Sequence, residues 1–378
     1  MRCATSVAPR TFMPISILAD PKPFVNTAHH RRVAVLALIA VNAMWGLSFP
    51  IMKSLNIQMD QHFGVTEATI PGSLRISSAA WMIAIRFAAA FAMFAIVFPR
   101  SLRGVQRTEW LGGAAIGAFF CSGLILQVIG LATIEASRSG FLTSLSVVFT
   151  PLLSTLVLLR RPRFPSVLGA VVAVIGVSIL TGVLEVTGQG VSVADAARSA
   201  WTIGDSLTAL SAIFFSGQIL LLDHLGTRCN SIALTPGMFL STATIGGIMF
   251  VVFQKSIPSE LTASWLSLTI QPQFFVLIAV LGAVASTVAF SWMNKYQPAV
   301  SATQAAVIYT LEPVFVSVWA MFLPGWISVC CGVEYANENI GLPTILGGTL
   351  VLLANVLALW SERKVTVAGR TSDITFVV

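Results

Sequence analysis

The stretch SATQAAVIYTLEPVFV, residues 301–316, repeats an earlier stretch of the same chain, SGFLTSLSVVFTPLLS at 139–154. The two align without gaps, so that Pro313 falls opposite Pro151 and a serine begins both. A long-range repeat of this kind predicts the architecture of the whole chain. Both stretches are almost entirely apolar, which makes each of them part of a candidate membrane helix with a proline inside it.

A second pair of stretches extends this repeat toward the C-terminus. RRPRFPSVLGA at 160–170 aligns with ENIGLPTILGG at 338–348, where Pro165 meets Pro343 and a glycine also coincides. This pair is offset by 16 residues more than the first pair, so the second copy carries an insertion at about 324–342. The sequence therefore predicts a duplicated unit with one extra loop.

The composition places this unit in a membrane. Of the 378 residues, 56% are hydrophobic and 10% are charged, and the mean hydropathy is +0.86. A soluble domain carries about 25% charged residues, so this chain could not cover a water-facing surface. We predict ten apolar spans, each long enough for the hydrocarbon layer: 33–54, 76–98, 111–132, 137–159, 164–183, 201–223, 232–253, 274–293, 299–323 and 343–361.

The duplicated unit would hold five spans, and five is an odd number. The second copy then enters from the opposite side, which predicts an all-α polytopic membrane protein of two inverted five-helix repeats. Inverted repeats are typical of secondary transporters, whose substrate lies near the midplane between them. The predicted organisation is an N-terminal tail (1–32), a first repeat (33–183), an outer linker (184–200), a second repeat (201–361) and a C-terminal tail (362–378).

The basic residues indicate the orientation of the spans. With the N-terminus inside, sixteen of the 22 Lys and Arg residues fall on the cytoplasmic side and five on the outer side. This bias follows the positive-inside rule and predicts two cytoplasmic termini. Because the net charge of +7 is distributed in this way, nucleic acid is not an expected partner. We expect a bacterial inner membrane, or a plastid envelope if the tail at 1–32 is a targeting segment.

The sequence shows no pattern typical of catalysis or metal binding. The five cysteines have no metal-ligand spacing, and the four histidines lie in tails, loops or at a span end. An intramembrane lipid-modifying enzyme would need acid/base or metal groups that converge at an interface. We therefore predict no enzyme, no catalytic residue, no metal and no cofactor. A membrane scaffold or sensor without transport remains an alternative.

Glu312 and Pro313 stand side by side in the apolar span 299–323. An ionisable residue near mid-depth costs on the order of 3 kcal/mol and usually faces a cavity or a partner. Pro313 frees a backbone carbonyl, which is tolerated where it is buried in protein or lines a watery cavity. Two interpretations stay open: a substrate or proton contact, or a neutral carboxyl hydrogen-bonded at a packed kink.

Arg86 lies near the centre of the span 76–98, too deep to reach the interface easily. It therefore needs an acceptor, and Glu312 and Glu135 are the candidates. One interpretation is a structural ion pair. The other is a guanidinium that faces the cavity and favours anionic or carboxylate-bearing substrates.

Other candidates for the pathway are polar or aromatic residues within the spans. The first span, VNAMWGLSFPIMKS, contributes Asn42 and Trp45 beside Gly46, and interrupted helices often mark a transporter's binding region. Gly46 could equally allow close helix packing. Further cavity-lining candidates are Gln127, Gln304 and Tyr309, and the candidate hinges are Pro151, Pro313 and Gly46.

Charged residues at span ends are expected to be ordinary interface residues. Asp205 and Asp223 flank the span 201–223, and carboxylates in such positions are usually solvated. Lys53 lies near the outer interface, where its long side chain can reach water.

Several stretches resemble the EamA-type transporters of the drug/metabolite transporter superfamily. They are AMWGLSFPIMK, IRFAAAF and SGFLTSLSVVFTPLLSTLVLL in the first half, and SATQAAVIYTLEPVFVSVWA and LGGTLVLLANVLALW in the second. The resemblance covers about residues 33–361. It implies ten helices in an inverted repeat around a central cavity, with the fifth and tenth helices set away from it. The family's substrates range over amino acids, nucleosides, organic cations and other metabolites.

Two features depart from the family pattern. Such units often end with a Glu shortly before helix 5 or 10; Glu338 stands there in the second half, but Arg160 in the first. The insertion could cap the cavity, contact a partner or be inert.

The resemblance implies a transporter that exports or exchanges a small metabolite or drug-like solute by alternating access. Its expected partners are the lipid bilayer, the solute, a coupling proton or counter-substrate, and a second copy in a homodimer.

Overall fold

The computed structural model describes residues 28–157, 164–187, 190–193, 201–226, 231–261, 263–297, 300 and 308–372. The helices are α1 (Ala28–His62), α2 (Gly72–Val97), α3 (Pro99–Arg103), α4 (Arg107–Leu131), α5 (Ala136–Ser144), α6 (Ser146–Val157), α7 (Phe164–Leu180), α8 (Ile203–Gly226), α9 (Ser231–Gln254), α10 (Trp265–Thr269), α11 (Pro272–Val280), a π-helical segment (Leu281–Val288), α12 (Ala289–Tyr296), α13 (Glu312–Ala320), α14 (Leu323–Cys331) and α15 (Leu342–Ser372). The linker between the halves holds a two-stranded antiparallel hairpin, β1 (Leu184–Thr187) and β2 (Gly190–Val193), in which Leu184 pairs with Val193.

The helices make this an all-α polytopic membrane fold, as the composition predicted. In the part of the chain that the structure describes, six helical segments are long and apolar enough to cross a membrane: Arg31–His62, Gly72–Val97, Arg107–Leu131, Ile203–Leu222, Ile232–Gln254 and Pro272–Met293. Helices α13 and α14 form a seventh candidate that bends by 50° at their junction. Two shorter apolar helices, Phe164–Leu180 and Leu342–Leu357, lie at the ends of the two halves.

The predicted fourth span, 137–159, is two helices rather than one. Helix α5 ends at Ser144 and α6 begins at Ser146, with Leu145 between them. The backbone N of Leu145 bonds to the oxygen of Leu142, one residue short of an α-helical partner. Pro151 lies inside α6, six residues after this break. The interruption therefore precedes the proline that the sequence singled out.

The predicted ninth span also differs from a continuous helix. Helix α13 begins at Glu312, so Pro313 occupies its first turn. A proline costs little there, because the first N–H groups of a helix have no intrahelical acceptor. The 50° bend comes later, at Met321 and Phe322, and Pro324 lies in the first turn of α14 beyond it. The role of Pro313 as a hinge stays a prediction.

Helix α1 runs unbroken for 35 residues although it contains Pro50. Four residues before this proline, Gly46 lies where α13 crosses α1. A Cβ at Gly46 would come within 2.8 Å of both Phe315 Cβ and the backbone N of Val316. Gly46 thus permits the two helices to approach, which was one of its two interpretations.

The two halves of the chain are packed into each other. Helix α9 lies against α2 and α4, helix α4 against α8, and α7 against α15. Contacts of α1 with α13 have a counterpart in contacts of α8 with α5 and α6. Gly176 and Gly347 meet where α7 crosses α15: a Cβ at Gly347 would stand 2.6 Å from the oxygen of Gly176. Small residues at such crossings let backbones approach where no hydrophobic effect drives association.

Candidate functional site

Aromatic rings fill the middle of the helix bundle. The ring of Phe290 lies 5.6 Å from Trp45, 5.8 Å from Phe120 and 5.7 Å from Phe239, and Trp45 lies 5.7 Å from Tyr309. We call these five residues the central aromatic cluster. They come from α1, α4, α9, α12 and the short helical stretch at 308–309 before α13, so the cluster joins helices from both halves. Trp45 and Tyr309 were predicted, whereas the three phenylalanines were not.

Arg86 is buried, with 4% of its surface exposed. Its guanidinium carbon lies 5.1 Å from the centre of the Phe87 ring, and that ring lies 5.4 Å from Phe120 and 5.8 Å from Phe239 of this cluster. Its Nε donates to Ser286 Oγ at 3.0 Å, and its Nη1 donates to Met52 Sδ at 3.3 Å. The ion pairs of the described residues are Arg75 with Asp60 and Arg138 with Asp205. Arg86 therefore forms no ion pair with either predicted partner, Glu312 or Glu135. Its acceptors are a hydroxyl and a thioether, and a thioether is a weak acceptor.

The hydroxyl that meets Arg86 comes from the π-helical segment. Thr287 follows Ser286 in this segment. Its Oγ1 shares its hydrogen between the backbone oxygen of Gly282, at 2.9 Å, and that of Ala90 in α2, at 3.3 Å. Gly282 lies close to α2, since a Cβ there would stand 3.4 Å from the oxygen of Arg86. π-Helical turns are rare and are often found at functional sites. The spacing of apolar residues does not predict a π-helical turn, because an apolar run such as LGAVASTV is equally compatible with an α-helix.

Glu312 is half-buried at the start of α13. Its carboxylate makes no hydrogen bond or ion pair with any residue that the structure describes. The nearby Tyr309 hydroxyl donates instead to Gln297 Oε1 at 2.9 Å. A packed kink that holds the carboxyl by hydrogen bonds is thus not found among these residues.

The remaining predicted polar residues fall in different places. Asn42 is buried; its Nδ2 donates to the oxygen of Leu38 at 2.7 Å, and its Oδ1 has no partner in the described part of the chain. Gln127 Nε2 donates to Thr143 Oγ1 at 2.8 Å and so ties α4 to α5. Gln304 lies outside the described residues. The structure brings Trp45 and Tyr309 together but leaves Gln127 bonded elsewhere.

A small cavity lies beside Phe290, toward the predicted cytoplasmic ends of α4, α8, α9 and α12. Its volume is about 10 Å³, and Gln218 and Thr235 supply the polar part of its lining. This is room for about one water molecule. A metabolite could not enter it without movement of the surrounding helices.

Polar contacts join the two halves at the predicted outer ends of the helices. Arg138 in α5 holds Asp205 in α8, with Nε–Oδ1 2.6 Å and Nη2–Oδ2 2.5 Å. Asp205 is fully buried, so the expectation of a solvated end carboxylate is wrong. Asp205 also caps α8, since Thr202 N donates to Oδ2 at 2.7 Å and Asp205 N donates to Thr202 Oγ1 at 3.2 Å. The T-x-x-D spacing is a capping-box signal that the sequence did contain.

Glu338, from the predicted insertion, makes a second contact of this kind. Its Oε1 accepts from the backbone N of Ala136 at 2.5 Å, and its Oε2 from Ser137 N at 3.0 Å. These are the first residues of α5, where free N–H groups and the helix dipole favour a carboxylate. The backbone N of Glu338 donates to the oxygen of Ala320 at 2.9 Å. The insertion is therefore packed onto the first half of the chain.

Lys53, Glu135 and Tyr335 surround this contact. Lys53 Nζ donates to the oxygen of Ile134 at 2.5 Å and lies 5.8 Å from the centre of the Tyr335 ring. Burial, and then the charge of Glu338, raise the pKa of the Glu135 carboxyl. Burial also raises the pKa of Tyr335, with smaller contributions from Glu338 and Glu135. The Tyr335 hydroxyl is buried without a partner in the described part of the chain. The sequence predicted that the Lys53 side chain extends to water, whereas its Nζ donates to a backbone oxygen of the protein.

Two sequence comparisons and one structural comparison relate this chain to known proteins. Residues 32–182 match the EamA-like transporter family. A protein of Archaeoglobus fulgidus described as "Uncharacterized transporter" is 25% identical over 291 residues, which is 77% of this chain and 78% of the relative. A solved structure titled "Crystal structure of protein" has 17% identity and a TM-score of 0.47, and the match covers 88% of this chain and 99% of that one.

The fold, the family match and the relative together define the class: an integral membrane transporter in a lipid bilayer, acting on a small-molecule substrate. Residues 32–182 are similar to the EamA-like transporters, as the resemblance of the quoted stretches in the first half predicted.

Proposed function

We propose that this protein is a secondary transporter that exports or exchanges a small metabolite or drug-like solute by alternating access. The observation that carries the proposal is the closure of the outer end by contacts between the halves. Glu338 of the second half caps α5 of the first, and Arg138 of the first half holds Asp205 of the second. Hydrogen bonds between helix ends can separate and re-form, as a rocking mechanism requires. The family and the description of the relative favour this class over an enzyme.

The proposal includes ten spans in two inverted five-helix repeats. Support comes from the way the helices pair across the halves. Helix α1 packs on α13, and α8, its counterpart in the second half, packs on α5 and α6, the counterparts of α13. Pairings that interchange in this way are expected of two repeats related by a two-fold axis in the membrane plane. In this assignment α5 with α6 forms the fourth span, and α13 with α14 the ninth.

The central aromatic cluster would then occupy the substrate's position in a closed state. Trp45 and Phe290 come from helices that the rocking motion would displace relative to each other, since they belong to different halves. Helices α7 and α15 contact each other through backbone and small residues and would form the outer support of the bundle.

Glu312 is the proposed coupling residue. Its carboxylate has no partner among the described residues, and it begins the helix whose backbone meets α1 at Gly46. A carboxyl at membrane depth without a cation beside it favours the protonated form. Proton binding in one state and release in the other would couple solute movement to a pH gradient. A counter-substrate in place of the proton would make the protein an exchanger.

The proposed orientation has both termini in the cytoplasm, which follows from the distribution of Lys and Arg. A bacterial inner membrane is the proposed location, and a plastid envelope is the alternative. Assembly as a homodimer is part of the same proposal.

A flux experiment tests the proposal. The purified full chain is reconstituted in liposomes, a mixed pool of labelled metabolites is added, and the pH gradient is either imposed or collapsed. Accumulation that disappears with the gradient supports proton coupling, and flux that needs only a solute on the far side supports exchange. Glu312→Gln should remove the effect of the gradient, while Glu260→Gln, on an exposed loop, should not. Gradient-driven flux that Glu312→Gln leaves unchanged would remove Glu312 from the coupling mechanism.

A further inference from the structure

We propose that Arg86 and Ser286, with the central aromatic cluster next to them, form a binding site for an organic anion: a carboxylate or similar oxyanion on an aromatic or apolar body. The inference deepens the proposed function, because it names the substrate class of the same site. It can be tested by binding alone, without any measurement of flux.

The Arg86 guanidinium has more hydrogen-bond donors than the described residues around it have acceptors. Arg86 carries five N–H donors, and among the described residues they meet one hydroxyl oxygen and one thioether. Burial of a guanidinium is expensive unless an anion or several good acceptors compensate it. An anionic oxygen in the place of Met52 Sδ would be a much stronger acceptor, and a carboxylate can take two of these donors at once.

Arg86 also has no carboxylate counter-ion among the residues that the structure describes. Arg75 and Arg138 each hold an aspartate in a close ion pair. Arg86 is more deeply buried than either, and none of the described carboxylates lies within 4 Å of it. A positive charge without a carboxylate at membrane depth marks a substrate or ion pathway. An internal carboxylate would have neutralised the site against an incoming anion.

The π-helical segment connects the Arg86 contact to the central aromatic cluster. It places Ser286 on Arg86 and continues into α12, where Phe290 lies four residues further along the same helix. Residues four apart lie on one side of a helix. Phe290 is the ring that contacts Trp45, Phe120 and Phe239. An anionic group at Arg86 would therefore have its organic body directed toward aromatic rings, which bind flat or apolar groups by stacking and burial.

A binding experiment separates this site from its alternatives. The purified full chain in a neutral detergent is heated with benzoate, with the neutral isostere benzamide, with the cation benzylamine, or with acetate. Benzoate should raise the unfolding temperature in a saturable way, and acetate should bind at least tenfold more weakly because it lacks the ring. Benzamide and benzylamine should give no saturable shift. Equal stabilisation by benzamide, or stabilisation by benzylamine alone, would overturn the proposal.

Variants assign the effect to the named residues. Arg86→Gln should weaken benzoate binding at least tenfold. If that variant does not fold, Arg86→Lys and Ser286→Ala, which keep the charge or only trim the hydroxyl, should each weaken binding severalfold. Phe290→Leu should bring benzoate and acetate closer together in affinity. The control is Arg100→Gln, an exposed arginine, which should bind as the wild type does. Unchanged benzoate affinity in both Arg86→Lys and Ser286→Ala would overturn the site.

Two further measurements distinguish the sources of the anion and the two proposals. In nanodiscs of zwitterionic lipid, benzoate should still bind, and added anionic lipid should not compete; displacement by that lipid would overturn the assignment to a free solute. Benzoate binding without flux of any organic anion into liposomes would contradict the transport mechanism and leave the site intact. Flux of neutral or cationic solutes alone, without benzoate binding, would support the transport mechanism and overturn the site.

Discussion

The carboxylate of Glu338 caps the helix that begins at Ala136, with Glu338 Oε1 2.5 Å from the backbone N of Ala136. The two residues are 202 positions apart and belong to different halves of the chain. One end of this contact is a side chain in a loop, and the other is the backbone at a helix start. Such a contact can form in one arrangement of the halves and be lost in another with little rearrangement of either half.

Replacement of Glu338 should loosen this junction. Glu338→Ala leaves the N–H groups of Ala136 and Ser137 without their acceptor, and it should cost about 1–3 kcal/mol of stability. The unfolding temperature of the purified protein measures this loss. Glu334→Ala, at an exposed position in the same insertion, is the matched control and should have little effect. Equal unfolding temperatures for the two variants would show that the cap does not stabilise the protein.

The ion pair of Arg138 with Asp205 should be costly to break from the aspartate side. Asp205 is fully buried, so Asp205→Asn leaves the Arg138 charge without its carboxylate and should cost about 3–5 kcal/mol. Arg138→Gln combined with Asp205→Asn should recover part of that loss. A double-mutant cycle on unfolding free energies measures the coupling. Strictly additive single losses would mean that the two side chains do not stabilise each other.

Glu135 should make stability depend on pH. Its pKa in the folded protein is raised by burial, so the folded state binds a proton more tightly than the unfolded state does. Below the ordinary carboxyl pKa of about 4.3 the proton is bound in both states. As pH rises from there through the raised pKa, the unfolded state ionises first and stability falls.

Glu135→Gln should remove this part of the pH dependence and make the protein more stable near neutral pH. Unfolding temperatures of both proteins, measured across the acidic range, give the difference curve. Glu67→Gln, at an exposed position, serves as the control. A difference curve that is flat, or that slopes the other way, would contradict the raised pKa of Glu135.

The crossing of α7 and α15 should tolerate no added carbon. Gly347→Ala would place a Cβ 2.6 Å from both the oxygen of Gly176 and the backbone N of Leu180, and backbone atoms cannot move aside cheaply. We expect a loss of about 1–3 kcal/mol. Gly247→Ala, where nothing lies within 4 Å, should be neutral or stabilising because alanine favours a helix. The unfolding temperature should therefore fall for Gly347→Ala and stay the same or rise for Gly247→Ala, and a fall of equal size in both variants would contradict the close contact at Gly347.

Much of the candidate site could be predicted from local features of the sequence. Trp45 and Tyr309 were predicted from polar or aromatic character within spans, and they lie in one cluster. Arg86 was predicted as a buried charge in need of an acceptor, and it is buried. Its predicted carboxylate partners were wrong, because the distance between two side chains on different helices depends on the rotation and depth of both helices. Ser286 had no signal of its own, since a serine in an apolar span is usually a packing residue.

By itself the sequence determined the solvent and the helical class of this protein. Those properties follow from composition and from runs of apolar residues, which are linear features of the chain. Only the tertiary structure decided which charges are paired, where helices break and which residues share the interior. Asp205 was a span-end carboxylate until packing placed Arg138 against it, and Ser286 meets Arg86 from a π-helical segment that the sequence did not reveal. Pairing energies fall steeply with distance, and those distances exist only once the helices have packed.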